Sequence, residues 1–243
     1  MTALSMQAHP MELLDVVKAS TDRLMATAEE LEEEELRQPS LLPGWSRAHV
    51  LTHLARGADS RRRLLLSARI DATIEQYPDE ETREREINEG AQRPRSTILA
   101  DLRTSAELLT EAIAQHPNDR WDELGCWLGA RERPVREVVS TRLQELEIHH
   151  ADLNAGYGHQ AWPHWFVAEE LQRTVDEMSD TDEVAPVTLH ATDTGTGYQV
   201  GNNATVVIRG AQADLFAWLI GRSSGHRLLA EPGGVLPSPP SWR

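Results

Sequence analysis

The sequence predicts an α+β protein: a four-helix bundle over residues 1–158, followed by a small α+β domain over residues 159–243. Three observations lead there. Four long stretches repeat apolar residues at helical spacing, which suggests a bundle. Gly156 and Gly158 then interrupt the helical half. Beyond Trp162, short β-rich runs separated by Gly, Asn and Thr alternate with amphipathic helices.

The first helix is expected from about Met11 to Leu36. Leu13, Leu14, Val17, Leu24 and Leu31 recur there at roughly helical spacing before an acidic run, Glu32 to Glu35. Pro39 to Gly44 breaks it, and Ser46 is placed to cap a second helix from about Arg47 to Ile70. Tyr77 to Pro94 is polar and charge-dense and reads as a loop with a short helix. The third helix spans about Ser96 to His116, and the fourth follows Pro134, from about Val135 to Leu153. Pro163 to Met178 forms one more amphipathic helix. Val187 to His190, Tyr198 to Val200 and Ala204 to Arg209 read as strands, and Ala211 to Ile220 as a helix. The Pro-rich tail from Pro232 is expected to be irregular.

Composition narrows the function. The chain of 243 residues is 40% hydrophobic, enough for a sizeable core. It has no run near the roughly 20 apolar residues that cross a membrane. Met1 to Pro10 lacks the basic start and apolar stretch of a secretion signal. The net charge of −15 repels phosphates and argues against a nucleic-acid partner. Cys126 is the single cysteine, so no internal disulfide forms and a reducing cytoplasm fits. Trp127 beside it suggests a packed position, and no catalytic role is assigned to it. Lys18 is the only lysine among mostly arginine cations. The expectation from composition is a soluble, acidic, cytoplasmic protein, and it is taken to be a monomer.

Histidines and carboxylates supply candidate metal ligands. A zinc site needs a few neutral imidazoles or carboxylates converging on one point, and a catalytic one leaves a position open. Glu145 and His149, four apart on the fourth helix, share a face, and His53 lies on another helix. The rival pair Glu147 and His150 is offered by the same stretch, and the apolar stripe Val135, Val138, Leu146, Leu153 falls between His149 and His150. Periodicity therefore does not choose between them. His49 and His53 form a further four-apart pair. With ten histidines in the chain, such pairs also arise by chance.

Longer motifs add to this. The stretch Leu42-Pro43-Gly44-Trp45-Ser46-Arg47-Ala48-His49-Val50-Leu51-Thr52-His53-Leu54 resembles the opening motif of the mycothiol-dependent maleylpyruvate isomerase family. Glu145-Leu146-Glu147-Ile148-His149-His150-Ala151-Asp152-Leu153 resembles its second metal-binding helix. Gly221-Arg222-Ser223-Ser224-Gly225 is similar to its arginine-bearing turn, and Pro237 to Trp242 to its ending. The resemblance covers nearly the whole chain and implies a DinB-like bundle with zinc on His53, Glu145 and His149. Asp152, three past His149, is either an outer partner of a ligand or a solvated helix-end carboxylate.

The resemblance also implies a reaction. Isomerising maleylpyruvate to fumarylpyruvate, a step of gentisate degradation, requires a cis double bond to become temporarily single. A thiolate adds, the new single bond rotates, and elimination returns the trans isomer. A free thiol has a pKa near 8.5, whereas a bound zinc ion deprotonates a coordinating thiol. The implied cofactors are thus Zn²⁺ and the low-molecular-weight thiol mycothiol. Arg222, on the family's turn, is the expected catalytic clamp for a substrate carboxylate, against a simpler role at the end of its helix. Arg83 aligns with a family arginine and is the cofactor-binding candidate, although solvated ion pairs with its acidic neighbours offer it another use. Two alternatives stand beside the isomerase: a mycothiol S-transferase for another electrophile, and a noncatalytic metal-binding bundle.

Overall fold

A computed structural model of the protein describes residues 4–70, 72–129, 131–179 and 185–238. The chain divides into two compact units, Met6–Tyr157, and Gly158–Arg243 with Met1–Ser5. The architecture is α+β: a helical N-terminal unit and a small sheet-and-helix C-terminal one. Among the described residues, no helix is long and apolar enough to cross a membrane.

Helix α1 runs over Pro10–Glu30, opened by His9, whose Nδ1 accepts from the Met11 amide at 3.3 Å. It stops six residues short of the Leu36 expected from periodicity. Leu31 turns extended, and a one-turn helix α2, Glu33–Leu36, begins behind Glu32. The acidic run explains this correction. Carboxylates are repelled by a helix C-terminus and favoured at an N-terminus, where Glu32 and Glu35 close a capping box. Leu31 and Leu36 are both buried across the break.

Helix α3, Arg47–Ile70, starts behind Ser46, whose Oγ accepts from the His49 amide at 3.4 Å. It is the central rod of the unit, with Val50, Leu51, Leu54, Leu64 and Leu65 fully buried. Truncating one of these, such as Leu54→Ala, leaves a cavity of a kind that costs about 2–5 kcal/mol. Helix α4, Glu80–Ala91, is capped by Asp79, and α5, Arg95–Ala114, follows. A hairpin that polar residues conceal in the sequence comes next, β1 Leu124–Trp127 antiparallel to β2 Arg131–Pro134. Its Arg133 guanidinium lies 4.8 Å from the Trp127 ring centre. Helix α6 is Glu137–Asp152. Helix α3 packs on α5 and α6, and α1 packs on the same two, which closes the four-helix bundle.

In the C-terminal unit, helix α7, His164–Ser179, precedes strands β3 Val187–Ala191, β4 Gly197–Val200 and β5 Val206–Gly210. Helix α8, Gln212–Leu219, and a three-residue strand β6, Leu229–Glu231, complete it. The sheet order is β4-β3-β5-β6, with β3 and β5 parallel and the other pairs antiparallel. Trp162, Phe166 and Phe216 meet with ring centres 5.3–6.3 Å apart in its core. The chain is irregular from residue 235 to residue 238; the Pro239 to Trp242 part of the family-like ending lies outside the described residues.

Candidate metal centre

Helices α3 and α6 lie side by side, and that contact brings the three expected ligands together. His53 Nε2 is 3.2 Å from His149 Nε2 and 3.3 Å from Glu145 Oε1. Donor atoms about 2.0–2.1 Å from a tetrahedral zinc ion lie about 3.3–3.4 Å from one another. The two edges at His53 are close to that length, which is also that of a hydrogen bond. As placed, no group of three or more His, Cys, Asp and Glu side chains among the described residues forms a complete metal-holding set. Both observations stand: the donor chemistry and the two edges at His53 fit zinc, while a closed three-ligand cage is not formed.

The surroundings prepare these side chains. Burial foremost, then the positive field of His149, Arg83 and Arg61, holds the His53 pKa well below its ordinary value. His53 is thus a neutral imidazole, the form a metal needs. Asp152, fully buried, faces His149 Nδ1 at 2.8 Å. That contact makes Nδ1 the N–H and turns the Nε2 lone pair toward His53. Asp152 is therefore a partner of a candidate ligand rather than a solvated helix-end charge.

Glu145 is gripped from behind. Its Oε2 accepts from Arg61 Nη1 at 2.9 Å and from Arg142 Nη1 at 2.7 Å, leaving Oε1 toward His53. Burial alone would raise this carboxyl, but Arg61 and Arg142, followed by His53 and His149, bring it well below the usual carboxylate range. Sequence reading did not find the two arginines. The signal was there: Arg61 lies eight residues past His53 and Arg142 three before Glu145, spacings that return to the same helix faces.

Gly57, one turn past His53, makes room for the carboxylate. A Cβ at this position would lie 2.6 and 2.8 Å from the Glu145 oxygens. Gly57→Ala suits helix propensity by up to about 1 kcal/mol, yet it must displace Glu145. We expect Gly57→Ala to remain folded while its zinc affinity drops about 10–100-fold, the range for disturbing an outer contact of a ligand. Competition with a chelator measures this; unchanged affinity would show that the notch is unimportant.

The rival pair faces the other way. Glu147 and His150 are buried against α1. Glu147 Oε1 accepts from Ser20 Oγ at 2.5 Å and Arg23 Nη2 at 2.7 Å, and its Oε2 accepts from the Tyr157 hydroxyl. His150 Nε2 meets Thr27 Oγ1 at 2.8 Å, and its ring stacks on Tyr157 at 3.8 Å. Burial and the Arg23 charge lower its pKa to about 4, while burial and Glu147 push the Tyr157 hydroxyl well above its ordinary value. This network joins α1 to α6. His49 is likewise turned from His53 and faces Ser46 Oγ at 2.7 Å through Nδ1.

Arg83, on α4, comes to the centre: its Nη2 donates to His53 Nδ1 at 3.3 Å. The Trp45 ring lies 5.4 Å from that of His53 on another side. Cys126 sits in the β1–β2 hairpin, opposite Glu132. A surface groove of about 570 Å³ between α1 and α5 shares no residue with the site. In the C-terminal unit, α8 ends at Ile220 and Gly221 follows at φ +71°, a conformation suited to glycine, so Arg222 begins the turn. Arg222 Nη1 donates to the Ile220 carbonyl at 3.1 Å.

A four-helix bundle with an inward cluster of two imidazoles and one carboxylate, continued by a small α+β unit, defines the class: a bundle carrying metal-type ligands. Two family models then match consecutive parts of the chain. Residues 17–154 match the mycothiol maleylpyruvate isomerase N-terminal domain, and residues 161–241 the C-terminal domain of the same family, MDMPI. The chain belongs to the mycothiol maleylpyruvate isomerase family. Among solved structures it is similar to a mycothiol-dependent maleylpyruvate isomerase and to a His-to-Ala variant of that enzyme. Each match has a TM-score of 0.92 and 21% identity, covering 99% of this chain and 100% of the other. No curated protein matches the sequence.

Proposed function

We propose that the protein is a cytoplasmic, mycothiol- and zinc-dependent isomerase that converts maleylpyruvate to fumarylpyruvate. The observation that carries this reading is the meeting of His53 Nε2 with His149 Nε2 and Glu145 Oε1 at 3.2 and 3.3 Å, in a chain of this family. His53, Glu145 and His149 would hold the metal, with Asp152 orienting His149 and the two arginines orienting Glu145. A zinc ion so held, with mycothiol, would supply a thiolate at neutral pH for addition to the cis double bond, after which rotation and elimination give the trans product.

The chain's own residues do the rest. Asp152 and the two arginines fix the direction of the ligand atoms before any metal arrives, which reduces the ordering needed on binding. Arg83 asks for a lone pair on His53 Nδ1, whereas ligation through Nε2 asks for a proton there. One neutral imidazole meets only one of these demands, so with a metal on Nε2 the Arg83 guanidinium would be available to an anionic part of cofactor or substrate. Arg222, by resemblance, holds a substrate carboxylate through its planar fork.

The test is the conversion of maleylpyruvate by the zinc-loaded protein, followed with and without mycothiol. We expect turnover only with the thiol. Turnover without any thiol would overturn the proposed chemistry. No isomerisation, with thiol conjugation to other electrophiles intact, would identify a mycothiol S-transferase instead. Neither activity, with zinc still bound, would leave a noncatalytic metal-binding bundle.

A further inference from the structure

We infer that Arg61 and Arg142, beyond placing Glu145, give the candidate metal centre a surplus of positive charge that selects an anion over a neutral molecule at its open position. The inference rests on the proposed metal reading and concerns residues outside the ligand set.

One carboxylate needs one guanidinium. Glu145 has two, and both converge on a single oxygen, Oε2. Both are buried, Arg61 at 8% and Arg142 at 1% exposure. Neither is placed there by Glu145 alone. Arg61 also donates to the Gly57 carbonyl at 3.1 Å and the Thr141 carbonyl at 3.2 Å, and Arg142 Nη1 to the Leu54 carbonyl at 2.8 Å. Backbone of α3 and α6 thus fixes both cations in position. The wider charge set has the same sign. Arg83 faces His53, Asp152 faces His149, and Glu145 lies between the arginines; Asp59, whose charge also acts on Arg142, is itself paired with Arg56 and Arg62, so among the described residues guanidiniums outnumber carboxylates around the centre.

Taking ions out of water is costly, and a second guanidinium on one carboxylate recovers less of that cost by pairing than the first. A structural bridge to Glu145 would have needed one arginine and no surplus. The surplus is explained by a ligand that brings negative charge. Adding a divalent ion enlarges it further. The guanidiniums also draw electron density from the ligating carboxylate, so the carboxylate neutralises less of the metal's charge. An anionic sulfur is favoured at such a centre over water or an un-ionised thiol.

Cobalt(II) substituted for zinc makes this visible, because its absorption spectrum changes with the fourth ligand. The cobalt protein is titrated at fixed pH with azide, a small anion, and with imidazole, a neutral donor. The wild type should bind azide in preference to imidazole. Arg61→Gln keeps donors to Oε2 and removes one charge. Its azide affinity should fall about tenfold, the lower end of what a nearby opposite charge confers, while imidazole affinity stays within about twofold, and Arg61→Lys should restore azide binding. Equal loss of both probes, or no loss of azide binding, would show a purely positional role and overturn the inference. So would a wild type that prefers imidazole, a result that needs no variant. Failure of the wild type to bind cobalt would instead remove the metal reading, and this inference with it.

Discussion

Replacing His53, Glu145 or His149 by Ala is expected to strip the protein of zinc, while His150→Ala retains it. The wild type should carry about one ion per chain, as three protein ligands with an open position imply. Each ligand loss should weaken zinc binding by more than about 100-fold, beyond the range for an outer partner. The variants should separate by stability. His53→Ala removes a neutral ring. Glu145→Ala leaves Arg61 and Arg142 buried without their carboxylate, a situation that costs roughly 3–5 kcal/mol, so it should also unfold at markedly lower denaturant. His150→Ala loses the Thr27 bond and the Tyr157 stack and should cost about 1–2 kcal/mol with its zinc in place. Metal analysis after dialysis, alongside urea unfolding, reads both quantities. If His150→Ala lost the ion and His149→Ala kept it, the ligand assignment would be wrong.

Arg222→Ala is expected to slow isomerisation by on the order of 10², the scale of losing one group that stabilises developing charge. Its zinc content should match the wild type, since His53, Glu145 and His149 all belong to the bundle unit. The proposed partner is a substrate carboxylate, one of two that maleylpyruvate carries, and the planar fork of arginine suits it bidentately. In the structure Arg222 Nη1 donates to the Ile220 carbonyl. Arg222→Lys keeps the charge and loses the fork, so partial activity should remain. A carbonyl contact at the end of α8 is a structural role, and the two roles differ in their readout. If Arg222→Ala kept wild-type turnover and only lowered thermal stability, the structural role would be the whole of it.

Much of the fold was legible in the chain. Leu13, Leu14, Val17 and Leu24 announce α1, Ser46 announces the start of α3, and the Gly, Asn and Thr turns after Trp162 announce a small sheet, because burial and capping impose local periodicity. The motifs around His53 and Glu145 were also legible, through their resemblance to those of the family rather than through spacing alone. Other features were hidden for local reasons. The break at Leu31 depends on where a carboxylate run meets a helix end, which apolar spacing does not record. The β1–β2 hairpin carries Arg131, Glu132 and Arg133 where an apolar alternation would have marked it.

Periodicity left open which face of α6 meets α3; the family resemblance pointed to Glu145 and His149, and the physical reason lies in the tertiary packing. Glu145 and His149 differ from Glu147 and His150 by a rotation of one or two residues, and the apolar stripe between them favours neither pair. In the packed bundle α1 supplies Ser20, Arg23 and Thr27 to satisfy Glu147 and His150, leaving Glu145 and His149 to face His53, with Asp152 behind His149. The two guanidiniums behind Glu145 and the notch at Gly57 are of the same kind. Each residue is ordinary by itself, and its role exists only because two helices approach closely enough for a glycine to admit a carboxylate.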